Sequence, residues 1–122
     1  MAEPLIRCCE VPVALGPAVN KADCFRLRVH DEVESRYICL YLNSPAAKQF
    51  AAEDNQGMTR QRINLGNCKA IPVPLPPAGE QLRILTIVDE LINQCDQLKD
   101  RLSVAQNTQL KLANAITEQA IN

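Results

Sequence analysis

Residues 71–85 read IPVPLPPAGEQLRIL, and from Glu80 to Asn122 the chain then contains no proline or glycine. No other feature limits the possible folds as strongly. Pro72, Pro74, Pro76 and Pro77 hold the backbone extended, because each ring fixes φ and removes an N–H donor. Pro76 and Pro77 also stop a following helix from growing backwards. A helix from Glu80 to Ala120, at about 1.5 Å per residue, is on the order of 60 Å long. Alternate steps of four and three from Ile84 meet Val88, Leu91, Cys95, Leu98, Leu102, Ala105, Gln109, Leu112 and Ile116. Only Gln109 is neither apolar nor small, and a seam of this period marks a coiled coil. Leu85 and Ile92 widen the stripe in its first half, implying a second contact surface there. The remaining 79 residues are too few to cover such a rod. A partner helix is the better expectation than a helix folded back on its own head.

The head reads as a small mixed α/β unit, which makes the chain α+β: residues 1–79, then one coiled-coil helix over 80–122. Residues 1–20 are broken by Pro4, Pro12, Gly16 and Pro17. CFRLRVH, residues 24–30, alternates Phe25, Leu27 and Val29 with Arg26, Arg28 and His30, which predicts a half-buried strand. A helix is expected from Glu32 to Asn43 and, after Ser44-Pro45, a second from Ala46 to Glu53. A polar loop follows at 54–62, then a weakly helical turn around INLGN. KAIPVPLP is an edge strand or an unpaired arm, since proline cannot donate to a ladder. Glu80 and Gln81 stand where first-turn side chains meet exposed N–H groups, so both read as structural caps.

Charge and composition exclude more than they assign. The net charge is −1, with Lys/Arg against Asp/Glu at nine to eight over 1–79 (+1) and four to six over 80–122 (−2). No overall basic field points to nucleic acid. Aromatic residues make up 3%, too few for a base-stacking platform. No apolar run reaches membrane-spanning length, and no signal segment opens the chain, so a cytoplasmic protein is expected. The six cysteines, at 8, 9, 24, 39, 68 and 95, form no C-x-x-C pair, and His30 has no metal-spaced partner. They read as reduced structural thiols, with no metal and no cofactor. Cys95 falls on the apolar helical face; the pairing of Cys8 with Cys9 has no interpretation from sequence. One histidine, no nucleophile motif and no Gly-rich phosphate loop argue against an enzyme.

The run GMTRQRINLGNCKAIPVPLPPAGEQLRILTIVDELINQCDQLKDRL resembles the end of a target-recognition domain and the following spacer helix in type I restriction–modification DNA specificity subunits. Gly57, Thr59, Ile63, Leu65, Ile71, Pro72, Pro74, Leu75, Pro76, Pro77, Glu80, Gln81 and Ile84 carry the likeness. YICLYLNSPAAKQF is similar to the segment just upstream. Family members carry two recognition domains and two long helices, so this chain matches the latter part of one domain and one helix. The resemblance implies a module without catalysis that reads half of a split site in double-stranded DNA. Its helix would dock the methyltransferase subunit and, indirectly, the restriction subunit. A truncated oligomerisation or adaptor fragment that has lost DNA binding is the alternative.

Candidate DNA-contacting residues are Thr59, Arg60 and Arg62 in the polar loop, with Lys48 and Lys69 near in sequence. An arginine fork grips guanine or phosphate, and a threonine hydroxyl can meet a backbone oxygen. Ordinary solvated loop charge is the plain alternative for each, and Arg26 and Arg28 are weaker candidates. The expected interface, a homodimer through the helix, uses Ile84, Val88, Leu91, Cys95, Leu98 and Leu102.

Overall fold

The computed structural model describes residues 5–21, 24–53 and 63–122. Among the described residues there are a 3-10 turn at Val13–Leu15 and four α-helices: α1 (Ser35–Leu42), α2 (Pro45–Glu53), α3 (Leu65–Ala70) and α4 (Ala78–Ile121). The chain divides into two compact units, Met1–Leu85 and Thr86–Asn122.

The first unit, the head, is helical rather than α+β. None of the described residues lies in a strand. The strand expected over 24–30 does not form. Alternating side chains make a strand only where a neighbouring backbone supplies ladder partners. The other extended stretch, residues 71–77, has prolines at four positions and cannot provide that ladder. The apolar side of 24–30 is also divided. Val29 packs on the core, whereas Phe25 and Leu27 are 42% and 56% exposed.

Short-range chemistry explains where the helices start and stop. A turn closed by the Val33 N–H on the His30 carbonyl, at 2.9 Å, leads into α1. Asn43 ends α1, its N–H donating to the Cys39 carbonyl at 3.2 Å. Ser44 and Pro45 then restart the chain. Proline suits the first position of a helix, and the Ser44 hydroxyl accepts the Ala47 N–H at 3.4 Å. Ala47 and Ala51, one turn apart, are 0% and 2% exposed, and their small side chains let α2 sit close on α1. Asn64 caps α3 by accepting the Asn67 N–H at 2.8 Å. Ile71 is extended, as the residue before a proline must be.

The proline arm has lost four of its N–H donors and uses its acceptors. Tyr37 Oη donates to the Pro74 carbonyl at 2.6 Å. Gln81 Nε2 donates to the Pro76 carbonyl at 2.8 Å. The Pro77 carbonyl takes the N–H groups of Glu80 and Gln81 at 2.9 and 3.1 Å, which opens α4. The arm is therefore unpaired as a strand but bonded along its length. The core beside it is small: Tyr37, Ile38 and Leu85, with Val29, Val33, Leu40, Leu42, Val73 and Ile84 packed around them. Burying Leu85 contributes roughly 2 kcal/mol, a large share for so small a centre.

The second unit is the continuation of α4, and every residue from Asp89 onward is exposed. Its Lys99–Asp96 pair, at 3.9 Å between exposed side chains, adds little. The whole of α4 is 44 residues long, in keeping with the rod expected from sequence. No helix among the described residues is long and apolar enough to cross a membrane.

Candidate functional site

Segments remote in sequence converge in the head on a groove of about 330 Å³. Leu5, Ile6, Phe25, Leu27, Leu42, Ile63, Leu65 and Ile71 give it an apolar lining. Arg7, Arg26 and Lys69 line it too, and no Asp or Glu stands among the described lining residues. Lys69 reaches it from the last turn of α3, and all three cations are exposed. Three positive charges thus surround an apolar floor, with no acid among the described lining residues.

Asn43 holds one wall in place. Its Oδ1 accepts the Cys8 N–H at 3.0 Å and its Nδ2 donates to the Cys8 carbonyl at 2.8 Å. A carboxamide can present donor and acceptor side by side as a peptide does, so the segment around Cys8 is bonded as if to a neighbouring strand. The same Nδ2 donates to the Cys39 carbonyl at 3.0 Å, tying that segment to α1. Ser35 Oγ, at the start of α1, donates to the Glu10 carboxylate and fixes the segment a second time.

The same segment carries Cys8 and Cys9. Cys9 is exposed and lines the groove. Cys8 is half-buried against Cys39, and its thiol is pushed from its ordinary 9.0 up to about 11. Burial is the largest cause, followed by the hydrogen bond to Cys39 and by the nearness of Cys39, Cys9 and Cys68. All six cysteines are free thiols. No group of three or more His, Cys, Asp or Glu among the described residues is placed to hold a metal.

Of the residues expected to contact DNA, Thr59, Arg60 and Arg62 lie outside the described residues. Lys69 stands at the groove. Lys48, half-buried on α2, is not part of its lining. Arg26, a weaker expectation, lines the groove, as does Arg7, to which the sequence does not point. Nothing in the local sequence around Arg7 distinguishes it, because its importance comes from Asn43 carrying its segment to α1.

The expected interface residues are arranged along α4. Ile84 is half-buried against the head core, and Val88 is half-buried. Leu91, Leu98 and Leu102 are 54%, 61% and 59% exposed, and Cys95 is exposed between them. Leu85, expected to widen the stripe towards a second surface, is 7% exposed and packs in the head core.

Residues 10–105 match the family model described as the type I restriction modification DNA specificity domain. The chain is 35% identical over 96 residues to the type I restriction enzyme EcoEI specificity subunit of Escherichia coli, a match covering 77% of this chain and 16% of that protein. It is 51% identical over 49 residues to the EcoAI specificity subunit of the same organism, covering 40% of this chain and 8% of that protein. The chain thus spans well under a quarter of the curated relatives that it matches. No solved structure matches it. With more than three-quarters of its length inside one family model, the chain belongs to the type I restriction modification DNA specificity domain family.

Proposed function

We propose that this chain is a non-catalytic DNA-recognition module of a type I restriction–modification system, acting in partnership with the methyltransferase subunit. One observation carries the reading: one family model matches residues 10–105, which take in most of the head and roughly the first two-thirds of α4. DNA contact and helix are thereby treated as one functional piece. The groove supports it locally. Arg7, Arg26 and Lys69 can neutralise phosphates along one edge of a duplex, and Thr59, Arg60, Arg62 and Lys48 remain candidates for further contacts. The apolar floor can receive the flat or methylated face of a base edge.

The helix supplies the docking surface. From Leu91 to Leu102 its seam exposes leucine side chains at coiled-coil spacing, and such surface is unstable in water without a cover. A second copy is the simplest cover, as a two-fold dimer with antiparallel α4 helices, and the methyltransferase subunit is the further partner. Fluorescence anisotropy of a labelled duplex titrated with the protein tests the reading. Absence of binding in a protein that still dimerises would leave the oligomerisation fragment as its role.

A further inference from the structure

We propose that Cys8 and Cys39 form a reversible disulfide site that fastens the N-terminal segment to α1 and fixes one wall of the groove. The placement follows from Asn43. Its Nδ2 bonds the Cys8 carbonyl at 2.8 Å and the Cys39 carbonyl at 3.0 Å, and its contact with Cys39 Sγ is 3.7 Å. Two carbonyl oxygens bonded to one nitrogen bring the Cys8 and Cys39 backbones side by side, the kind of approach that a disulfide requires. The Cys8 thiol is also within hydrogen-bonding reach of Cys39. Both are half-buried, so neither is closed off from solvent. Cys9, Cys24 and Cys95 are exposed, and nothing holds any of them against a second thiol in this way.

The chemistry is thiol–disulfide exchange with a glutathione-type disulfide. The Cys39 thiolate attacks one sulfur of the oxidant and releases a first glutathione thiolate. Cys8 then gives up its proton, and its sulfur attacks the Cys39 sulfur and releases the second. Two protein thiols become one disulfide, two glutathiones are reduced, and the two protons end on the released thiolates. Cys8 is held protonated by burial and by the Cys39 hydrogen bond, so it takes the second role rather than the first. The segment so fastened, Leu5 to Cys9, carries Arg7. Oxidation therefore immobilises one of the three groove cations without altering the net charge that DNA would meet.

The full chain, folded, is treated with glutathione disulfide, its remaining thiols are alkylated, and the digest is sequenced by tandem mass spectrometry. The expected product joins Cys8 to Cys39 within one chain. Cys8→Ser removes the crosslinked peptide and Cys9→Ser leaves it in place. Hydrogen exchange of residues 5–10 slows after oxidation and recovers with dithiothreitol. Cys8 recovered as the alkylated thiol, joined to Cys9 or Cys68, or found only in crosslinks between chains would overturn the proposal. So would an equal yield of the same crosslink in urea, which would show that the fold does not select it.

Discussion

Gln81 Oε1, in the first turn of α4, accepts the backbone N–H of Glu34, forty-seven residues earlier, at 2.9 Å. Glu34 is the N-cap of α1, and its own side chain makes no capping bond. A glutamine that reaches back to an N-cap N–H is one half of a capping box. Here that half comes from another helix. Its Nε2 meanwhile holds the Pro76 carbonyl, and the side chain is 1% exposed, the most buried large residue among those described. One carboxamide thus joins the start of α1, the proline arm and the start of α4.

Gln81→Leu should lower stability by about 1–3 kcal/mol, because a half-buried donor on Glu34 and a half-buried acceptor on Pro76 both lose their partner. Gln81→Glu keeps the acceptor for Glu34 but sets a carboxylate against the Pro76 carbonyl, so it too destabilises. Urea unfolding followed by circular dichroism reads both. A drop of less than about 0.5 kcal/mol in Gln81→Leu would mean that the clamp is not a structural centre.

Tyr37→Phe keeps the ring in the core and removes only the bond to the Pro74 carbonyl. A cost of about 1 kcal/mol is expected by the same assay. Ala47→Leu, at a position with no exposure, should cost about 1–3 kcal/mol by forcing α2 off α1.

The fold favours the neutral form of Cys8, whose pKa rises from 9.0 to about 11. Below the lower value both folded and unfolded chains keep the proton, and this stability is fully present. As pH rises the unfolded chain gives up its proton first, so the contribution falls and is gone once pH passes the folded value. Cys39, Cys9 and Cys68 are the titratable groups that face it. Urea midpoints should therefore fall with rising alkaline pH more steeply in the native chain than in Cys8→Ser. Parallel curves would contradict the assignment.

Leu91→Asp with Leu98→Asp places charge in the seam and should turn a dimer into a monomer in light scattering, with the helical signal of the head retained. A native chain that is already monomeric would remove α4 self-pairing from the account.

Much of this molecule is legible in its sequence, for local reasons. The absence of proline and glycine after Gly79 and the spacing from Ile84 to Ile116 define α4 without tertiary information. Ser44-Pro45 separates α1 from α2, and the prolines mark the arm. The strand at 24–30 fails because alternation reveals which side of a segment is apolar but not whether a ladder partner exists. Glu80 and Gln81 read as structural from their place in the first turn. Yet only the structure shows that Glu80 pairs with Arg83 at 3.5 Å while Gln81 serves a different helix. The groove is invisible in the sequence for a similar reason. Arg7, Arg26 and Lys69 stand on separate segments, and what ties the first of those segments to the head is the carboxamide of Asn43 at the end of α1.

The measurement that bears most directly on the central claim is duplex affinity over a range of salt concentrations, for the native chain and for Arg7→Ala/Arg26→Ala/Lys69→Ala. A DNA-recognition module with its cations at the groove should bind the duplex with an affinity that falls linearly, on logarithmic axes, with salt. The triple variant should bind more weakly, its slope shallower by about 0.9 for each phosphate that it no longer neutralises. No binding by the native chain at low salt, with its helical signal intact, would contradict the account.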